Sequence, residues 1–531
     1  MKRIHYLLLL CILLTGCTGA PHSVVINFEE DEYWWGGVVA FGSRMPYLQP
    51  VEAFDLSMRA DNNQVVPLFL SSNGRYVWSD YPFTFEVKGR SLHIVSAFET
   101  VAVRQAGTTL REAFLAAAAT HFPPSGMIPD SLFFTMPQYN TWIELMYDQN
   151  QRDILQYADD IVRNDFPTGI LMIDDNWQKY YGNFEFKPDK FPDPRAMIAR
   201  LHDQGFKVML WVCPFVSADS PEFRLLADKG YLLRERGTDI PAMLHWWNGV
   251  SACYDFTNPD AEAYFITQLK SLQTDYGVDG FKFDAGDNSY YDPQVIEGLR
   301  ADALSVDHSE AWAAVGLQFP FNEFRACWKM GGQPLVQRLG DKNYAWEAIQ
   351  LLIPDILAAG LLGYAYTCPD MIGGGQFTSF FGVDSDRFDQ PLIVRSAQVH
   401  SLMPMMQFSV APWRILNDDN LSIVRQAARL HARMGSYIIA AARHSAMSGE
   451  PIARHMEYAF PHEGFAQCKD QFMLGDRYLV APVVAPEYSR TVRLPAGIWQ
   501  DEAGQRYEGP AVITCDVPLH RLPYFERIGE R

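Results

Sequence analysis

Two rhythms of apolar and polar positions divide the chain. From about Ser23 to Ser96, short apolar runs such as Val38-Val39-Ala40-Phe41, Val65-Val66-Pro67-Leu68-Phe69-Leu70 and Ser91-Leu92-His93-Ile94-Val95 are broken by Gly, Asn, Asp and Pro. That spacing predicts an antiparallel β-sandwich domain over residues 22–125, with a helix from Thr109 to His121 at its end. From 130 to 435 short apolar runs instead alternate with amphipathic segments of helical period. Strands are predicted at Gly169–Ile173, Lys207–Val212, Gly280–Phe283, Ala313–Leu317 and Gly363–Tyr366. Helices are predicted at Arg152–Arg163, Pro194–Asp203, Pro259–Tyr276 and Tyr344–Leu361, the last with Pro354 as a place for a kink. Such alternation marks an α/β fold, a (β/α)8 TIM barrel. Strands return at Arg477–Val483 and Thr491–Pro495, predicting a C-terminal β-domain over 440–531.

The N-terminus departs from both rhythms. Met1-Lys2-Arg3 is a positive start, Tyr6 to Leu14 is an apolar run too short to span a bilayer, and Leu14-Thr15-Gly16-Cys17 resembles a bacterial lipobox. Residues 1–17 are therefore expected to be a lipoprotein signal, with Cys17 the lipidated residue. The expected location is the bacterial cell envelope, on the periplasmic or outer-membrane face, with membrane contact through the lipid anchor alone. Six further cysteines are widely separated and show no zinc spacing, which leaves one or two disulfides open.

Composition narrows the partners. Hydrophobic residues at 48% and charged residues at 20% supply packed cores and exclude a disordered chain. The balance of 44 basic against 63 acidic residues, with no basic stripe, excludes nucleic acid. In a parallel barrel the reacting groups sit just past the carboxyl ends of the strands. Those positions here are acidic: Asp174-Asp175 after Ile173, Asp284 and Asp287 after Phe283, and Asp370 after Cys368-Pro369. One such Asp would be read as a helix cap, whereas several converging strands point to paired acid/base work or a metal cluster. No His stands beside them, and Trp142, Trp177, Trp211 and Trp246-Trp247 interleave with them. Carboxylates among aromatic walls suit a sugar, so an oligosaccharide or glycoside is the expected partner, with no cofactor and no metal.

At Gly280-Phe281-Lys282-Phe283-Asp284-Ala285-Gly286-Asp287 the chain resembles glycoside hydrolase family 31, where such a strand delivers an Asp nucleophile. Ile173-Asp174-Asp175, Arg338-Leu339-Gly340-Asp341, Pro369-Asp370-Met371-Ile372-Gly373-Gly374 and the post-barrel runs Gly449–Arg454 and Gln471–Asp476 resemble further elements of that family. His245-Trp246-Trp247-Asn248-Gly249 and Met405–Ser409 resemble an α-galactosidase-like group within it. Two departures stand out. Asp287 occupies a place where many members have Glu, and Gln407 and Ser409 lie near places where many have Arg and His, which argues against glucose.

The resemblance implies a retaining, exo-acting α-glycosidase working by double displacement, with Asp284 as nucleophile and Asp341 as acid/base. Lys282 is expected to help keep Asp284 ionised, and Asp341 is expected to have its pKa raised by burial or by the charge of Asp284. Asp174, Asp175, Trp211, Trp247, Lys282, Arg338 and Asp370 are the expected sugar-binding residues. The resemblance favours an α-galactoside over an α-glucoside. It leaves open a transglycosylase using the same residues, and a non-catalytic glycan-binding lipoprotein.

Overall fold

The computed structural model describes residues 21–58 and 64–529, so Cys17 and the expected signal lie outside the described residues. Eight parallel strands form the centre: β1 (Gln138–Asn140), β2 (Ile170–Ile173), β3 (Lys207–Val212), β4 (Gly280–Phe283), β5 (Phe321–Phe324), β6 (Gln337–Arg338), β7 (Thr367–Cys368) and β8 (Gln407–Phe408). They pair in chain order from β1 to β7, and β8 returns to pair with β1. Between β7 and β8 the amide of Ile372 donates to the carbonyl of Gln407 at 2.9 Å, which nearly closes the barrel.

Local chemistry places the outer helices. Gln151–Arg163, Pro194–Asp203 and Pro259–Tyr276 begin at Asn150, Asp193 and Asn258, whose side chains each accept from a backbone N–H of the first turn. The latter two also carry Pro at the first helical position, where its missing donor costs nothing. The N-terminal helix Leu110–His121 opens on a reciprocal pair between Thr109 and Glu112.

Several predicted elements are corrected. Ala313–Leu317 is no strand but the end of helix Ser305–Val315 and a following 3-10 turn. Its apolar residues are spaced so that Trp312, Ala313 and Val315 are buried while Leu317 faces solvent. The true fifth strand, Phe321-Asn322-Glu323-Phe324, carries two buried polar residues. Gly363–Tyr366 is the turn that leads into β7. Val38–Phe41 is split between strand Trp34–Val38 and the 3-10 turn Val39–Arg44. Helix Trp346–Leu361 runs on through Pro354. The six cysteines of the described residues are free and buried. No helix among the described residues is long and apolar enough to cross a membrane.

On one side of the barrel lie two antiparallel sheets. One has the order His22–Asn27, Ser91–Ser96, Thr84–Val87, Val51–Asp55. The other is built on Gln64–Ser71, Arg75–Trp78 and Val103–Gln105, with Trp34–Val38 against Gln64–Ser71. The barrel loop after β5 contributes Cys327–Trp328 as a further strand of this second sheet, pairing in parallel with Gln64 and Val65. At the other end, helix Asp418–Ser448 leads to a six-stranded sheet containing Ser489–Asp501 and Arg506–Asp516.

The contact between the N-terminal region and the barrel is close enough to test. A Cβ on Gly42 would lie 2.3 Å from the carbonyl oxygen of Pro354 and 2.6 Å from the amide nitrogen of Asp355. Both neighbours are backbone and cannot swing away. We expect Gly42→Ala to cost about 1–3 kcal/mol through overpacking and to lower the thermal midpoint. An unchanged midpoint would show that the two segments do not touch.

Candidate active site

At the end of β4 the chain leaves the strand through a left-handed turn, with φ of +59° at Ala285 and +81° at Gly286. The conformation is costly for Ala285 and available to Gly286, where a Cβ would in addition strike Trp312 at 2.1 Å. Asp284 thereby points into the mouth of the barrel. Its Oδ2 accepts from Trp211 Nε1 at 2.7 Å and its Oδ1 from the amide of Ala285 at 2.9 Å. Arg325 Nε stands 3.9 Å from the same Oδ1 and 3.3 Å from Asp287 Oδ2, and its guanidinium lies 5.1 Å from the ring centre of Trp247. Asp287 is buried, and burial raises its pKa against the pull of Arg325.

The end of β2 supplies a second group. Lys282 is not paired with Asp284, as the sequence led us to expect. Its Nζ binds Asp174 Oδ2 at 2.7 Å, both side chains being buried. Alternation along β4 carries Lys282 across the barrel interior toward β2, whereas Asp284 lies beyond the strand end, where Trp211 and Arg325 meet it. Asp175 accepts from Asn248 Nδ2 at 2.7 Å and Tyr181 Oη at 3.1 Å. Burial and then the charge of Asp174 push its pKa up to about 7. Tyr147 closes this side by donating to Asn248 Oδ1 at 2.9 Å.

The third group centres on Arg338, which is fully buried. Its Nη1 donates to Asp341 at 2.6 Å and to Asp370 at 3.1 Å, while its Nε lies 3.6 Å from Glu323. Asp370 Oδ2 also accepts from the amides of Lys342 at 2.5 Å and Gly375 at 2.7 Å. The expectation that Asp341 has a raised pKa is overturned. Enclosure within the mouth acts to raise it, but Arg338, then Arg325 and Lys282, outweigh that and hold it at about 2. Asp341 keeps 26% of its side chain exposed, so solvent moderates this pull without reversing it. Asp370 has no such outlet, and burial followed by the charge of Asp341 pushes it up to about 6.

Every expected site residue within the described chain lies in or beneath this mouth, but not always in the expected role. Trp211 is buried against Asp284 and offers its N–H to the carboxylate, whereas Trp247, 42% exposed, is the open wall. Sequence reasoning missed Arg325, Glu323, Tyr147, Tyr181 and Asn248. Arg325 directly follows β5, so the rule of inspecting strand ends would have found it had that strand been recognised. It also missed Gln64, whose Nε2 donates to the carbonyls of both Arg325 at 2.6 Å and Arg338 at 2.8 Å. One amide from the N-terminal sheet thus ties together the segments that carry the two arginines. Among the described residues no group of His, Cys, Asp and Glu is arranged to hold a metal ion. The carboxylates meet Lys, Arg, indole and amide donors instead.

Comparison with known proteins places this geometry in context. Residues 134–441 match the family model described as the glycosyl hydrolases family 31 TIM-barrel domain, and residues 449–530 match that family's C-terminal domain. Myogenesis-regulating glycosidase of Mus musculus is 33% identical over 416 residues, covering 76% of this chain and 58% of the relative. An alpha-xylosidase of Emericella nidulans is 27% identical over 416 residues, covering 74% and 52%. The chain thus spans little more than half the length of these relatives. Among solved structures, a family 31 dextranase from Flavobacterium johnsoniae complexed with glucose superposes with a TM-score of 0.83 at 20% identity, over 97% of this chain and 67% of that one. An alpha-xylosidase from a soil metagenome complexed with xylose gives 0.77 at 22% identity, over 95% and 79%. At these identities the structures support the fold.

The arginine hub generates a prediction. Arg338→Met would leave Glu323 and Asp370 buried without their counter-charge, a loss of roughly 3–5 kcal/mol for a broken buried pair. The destabilisation should shrink at low pH, because protonated carboxyls no longer need the cation. Denaturation midpoints of both proteins at pH 7 and pH 5 would check this, and an equal loss at both would remove electrostatics as the cause.

Proposed function

The chain belongs to glycosyl hydrolase family 31, and from that premise we propose that it is a retaining, exo-acting α-glycosidase releasing a terminal α-linked hexose. The observation that carries the proposal is the meeting of two differently held carboxyls in one mouth. Asp284 is gripped by Trp211, the Ala285 amide and Arg325, and Asp341 by Arg338.

These contacts fix the Asp284 carboxylate at the end of β4 and aim it into the mouth, which suits it as the nucleophile. In the first step Asp284 attacks the anomeric carbon, the bond to the leaving oxygen breaks, and that oxygen takes a proton. In the second step water, deprotonated by the same acid/base group, displaces Asp284. Asp341 is assigned as the residue facing the leaving oxygen. Because Asp341 and Asp370 share one Arg338 nitrogen, they titrate as a pair. With one member held at about 2 and the other pushed to about 6, the pair carries a proton below pH 6 and loses it above. In this reading Asp341 acts as the acid in the form of the pair that holds the proton.

The remaining sugar-binding assignments are Asp174, Asp175, Trp247, Lys282, Arg338 and Asp370, with Trp211 acting through the nucleophile. An α-galactoside is favoured over an α-glucoside. Support comes from Gln407 and Ser409, at places where many family members carry Arg and His. Gln407 is tied below the mouth to Glu323 at 2.8 Å, and Ser409 to the amide of Ile143 at 2.7 Å, and both are fully buried. We also propose that the mature chain is lipid-anchored through Cys17 to the bacterial envelope, a reading supported by Leu14-Thr15-Gly16-Cys17.

Nitrophenyl α-galactoside, α-glucoside and α-xyloside assayed in parallel test the activity and its sugar. Asp284→Asn should lower kcat by roughly 10³-fold or more, and glycan binding without turnover would sink the enzyme reading. Asp341→Ala should cost about 10²–10⁴-fold on a disaccharide but little on an activated aryl glycoside. On a disaccharide, kcat/KM should fall as pH rises through about 6, and Asp370→Asn should move that limb to lower pH. For the anchor, Cys17→Ser should shift the protein from the membrane to the soluble fraction, and an unchanged distribution would refute it.

A further inference from the structure

A lipid on Cys17 would fix more than attachment. His22 opens the strand His22–Asn27 and lies only five residues further along the chain. Fully extended, five residues reach no more than about 18 Å. The surface around His22 is therefore held within that distance of the acylated residue, whatever path the chain takes between them.

That surface carries an exposed pair of rings. His22 pairs with Ser96 at the end of Ser91–Ser96, and the chain continues through Phe98 to Thr100, whose Oγ1 stands 2.9 Å from His22 Nδ1. The ring of Phe98 stacks on that of Tyr81, with centres 5.0 Å apart and planes 14° from parallel. Tyr81 is 44% exposed and Phe98 36%. Among the described residues the exposed aromatic side chains are Tyr81, Phe98, Tyr180, Trp247, Phe381 and Tyr488, and of these only Tyr81 and Phe98 touch each other. On the outer face of the same sheet Val25 and Val95 are also exposed, as diagonal neighbours in the register. The adjacent acids are turned back onto the protein. Asp80 accepts from Trp78 Nε1 at 2.9 Å, and Glu99 accepts from Ser79 Oγ at 2.8 Å and from the amide of Asp80 at 3.2 Å.

We propose that this end of the N-terminal sheet is a membrane-docking face, with Tyr81 and Phe98 entering the interfacial layer of the bilayer that holds the Cys17 lipid. The proposal rests on the reading of Cys17 as the lipidated residue. Phe brings an apolar ring and Tyr a ring whose hydroxyl stays hydrated, a combination suited to the boundary between headgroups and acyl chains. Two rings are too little for stable binding alone, but a short tether presents them to the bilayer at high effective concentration. The lipid supplies attachment and the rings supply orientation. With no basic stripe in the chain, what is recognised is the interface and not an anionic headgroup.

The test places the lipidated full chain in phosphatidylcholine vesicles with nitroxide-labelled acyl chains. A fluorophore is attached at Ser23→Cys or, as a reference on the C-terminal sheet, at Val512→Cys. Both positions are exposed, and the native cysteines of the described residues are buried. Quenching at position 23 should be at least about twice that at position 512, since an inserted face lies about 5–10 Å into the boundary. Tyr81→Ser combined with Phe98→Ser should remove about half of that quenching or more without releasing the protein from the vesicles. Tyr81→Trp combined with Phe98→Trp should keep it, which separates loss of the rings from loss of the fold. Equal quenching at the two positions, or quenching at position 23 that the serine variant leaves unchanged, would overturn the proposal. If that variant instead loses retention on an insoluble glycan while its quenching is unchanged, the pair is a sugar contact. Failure of the wild-type chain to partition with membranes would sink the reading of Cys17 and the docking face with it, whereas partitioning without preferential quenching removes the face alone.

Discussion

A shortage of positive charge governs this protein's centre. Asp174, Asp175, Asp284, Asp287, Glu323, Asp341 and Asp370 are gathered around Lys282, Arg325 and Arg338, and most of these groups have little access to water. Full ionisation would be prohibitive in such a place. The site answers by letting burial push Asp175, Asp287, Glu323 and Asp370 upward while the arginines hold Asp341 down. Protons here are part of the architecture. Under the proposed function, a neutral sugar would bring hydroxyl donors where donors are short, so binding energy and charge relief would act in the same direction.

The division of labour among the three cations follows from where the strands place them. Lys282 and Glu323 point inward from β4 and β5, below the mouth, and anchor Asp174 and Gln407. Arg325 and Arg338 stand at the upper ends of β5 and β6 and reach Asp284 and Asp341. Gln64 joins the two arginine segments from outside the barrel, so the geometry of the mouth depends on a residue of the N-terminal sheet.

Much of this was legible in sequence because buried parallel strands are apolar and end abruptly in acids. β2 and β4 follow that form, and they led directly to Asp174, Asp175 and Asp284. β5 does not: Asn322 and Glu323 interrupt its apolar run because they find partners inside the barrel, Asn322 in the carbonyl of Phe319 and the amide of Val336, and Glu323 in Gln407 and the charge of Arg338. A polar strand interior has the look of a loop, and Arg325 was lost with it. The altered role of Lys282 and the lowered pKa of Asp341 were hidden for another reason. Both depend on which partner lies across the barrel, and a linear pattern carries no cross-barrel distances.

The strand that the β5 loop lends to the N-terminal sheet has its own consequence. Because Cys327–Trp328 pairs with Gln64 and Val65, a sheet whose other strands end by residue 105 is completed only by chain that comes more than two hundred residues later. The N-terminal region is therefore no detachable cassette. Exchanging it between relatives would have to carry the β5 loop along, and during synthesis the Gln64–Val65 end of its central strand must wait for this partner until the chain has passed β5.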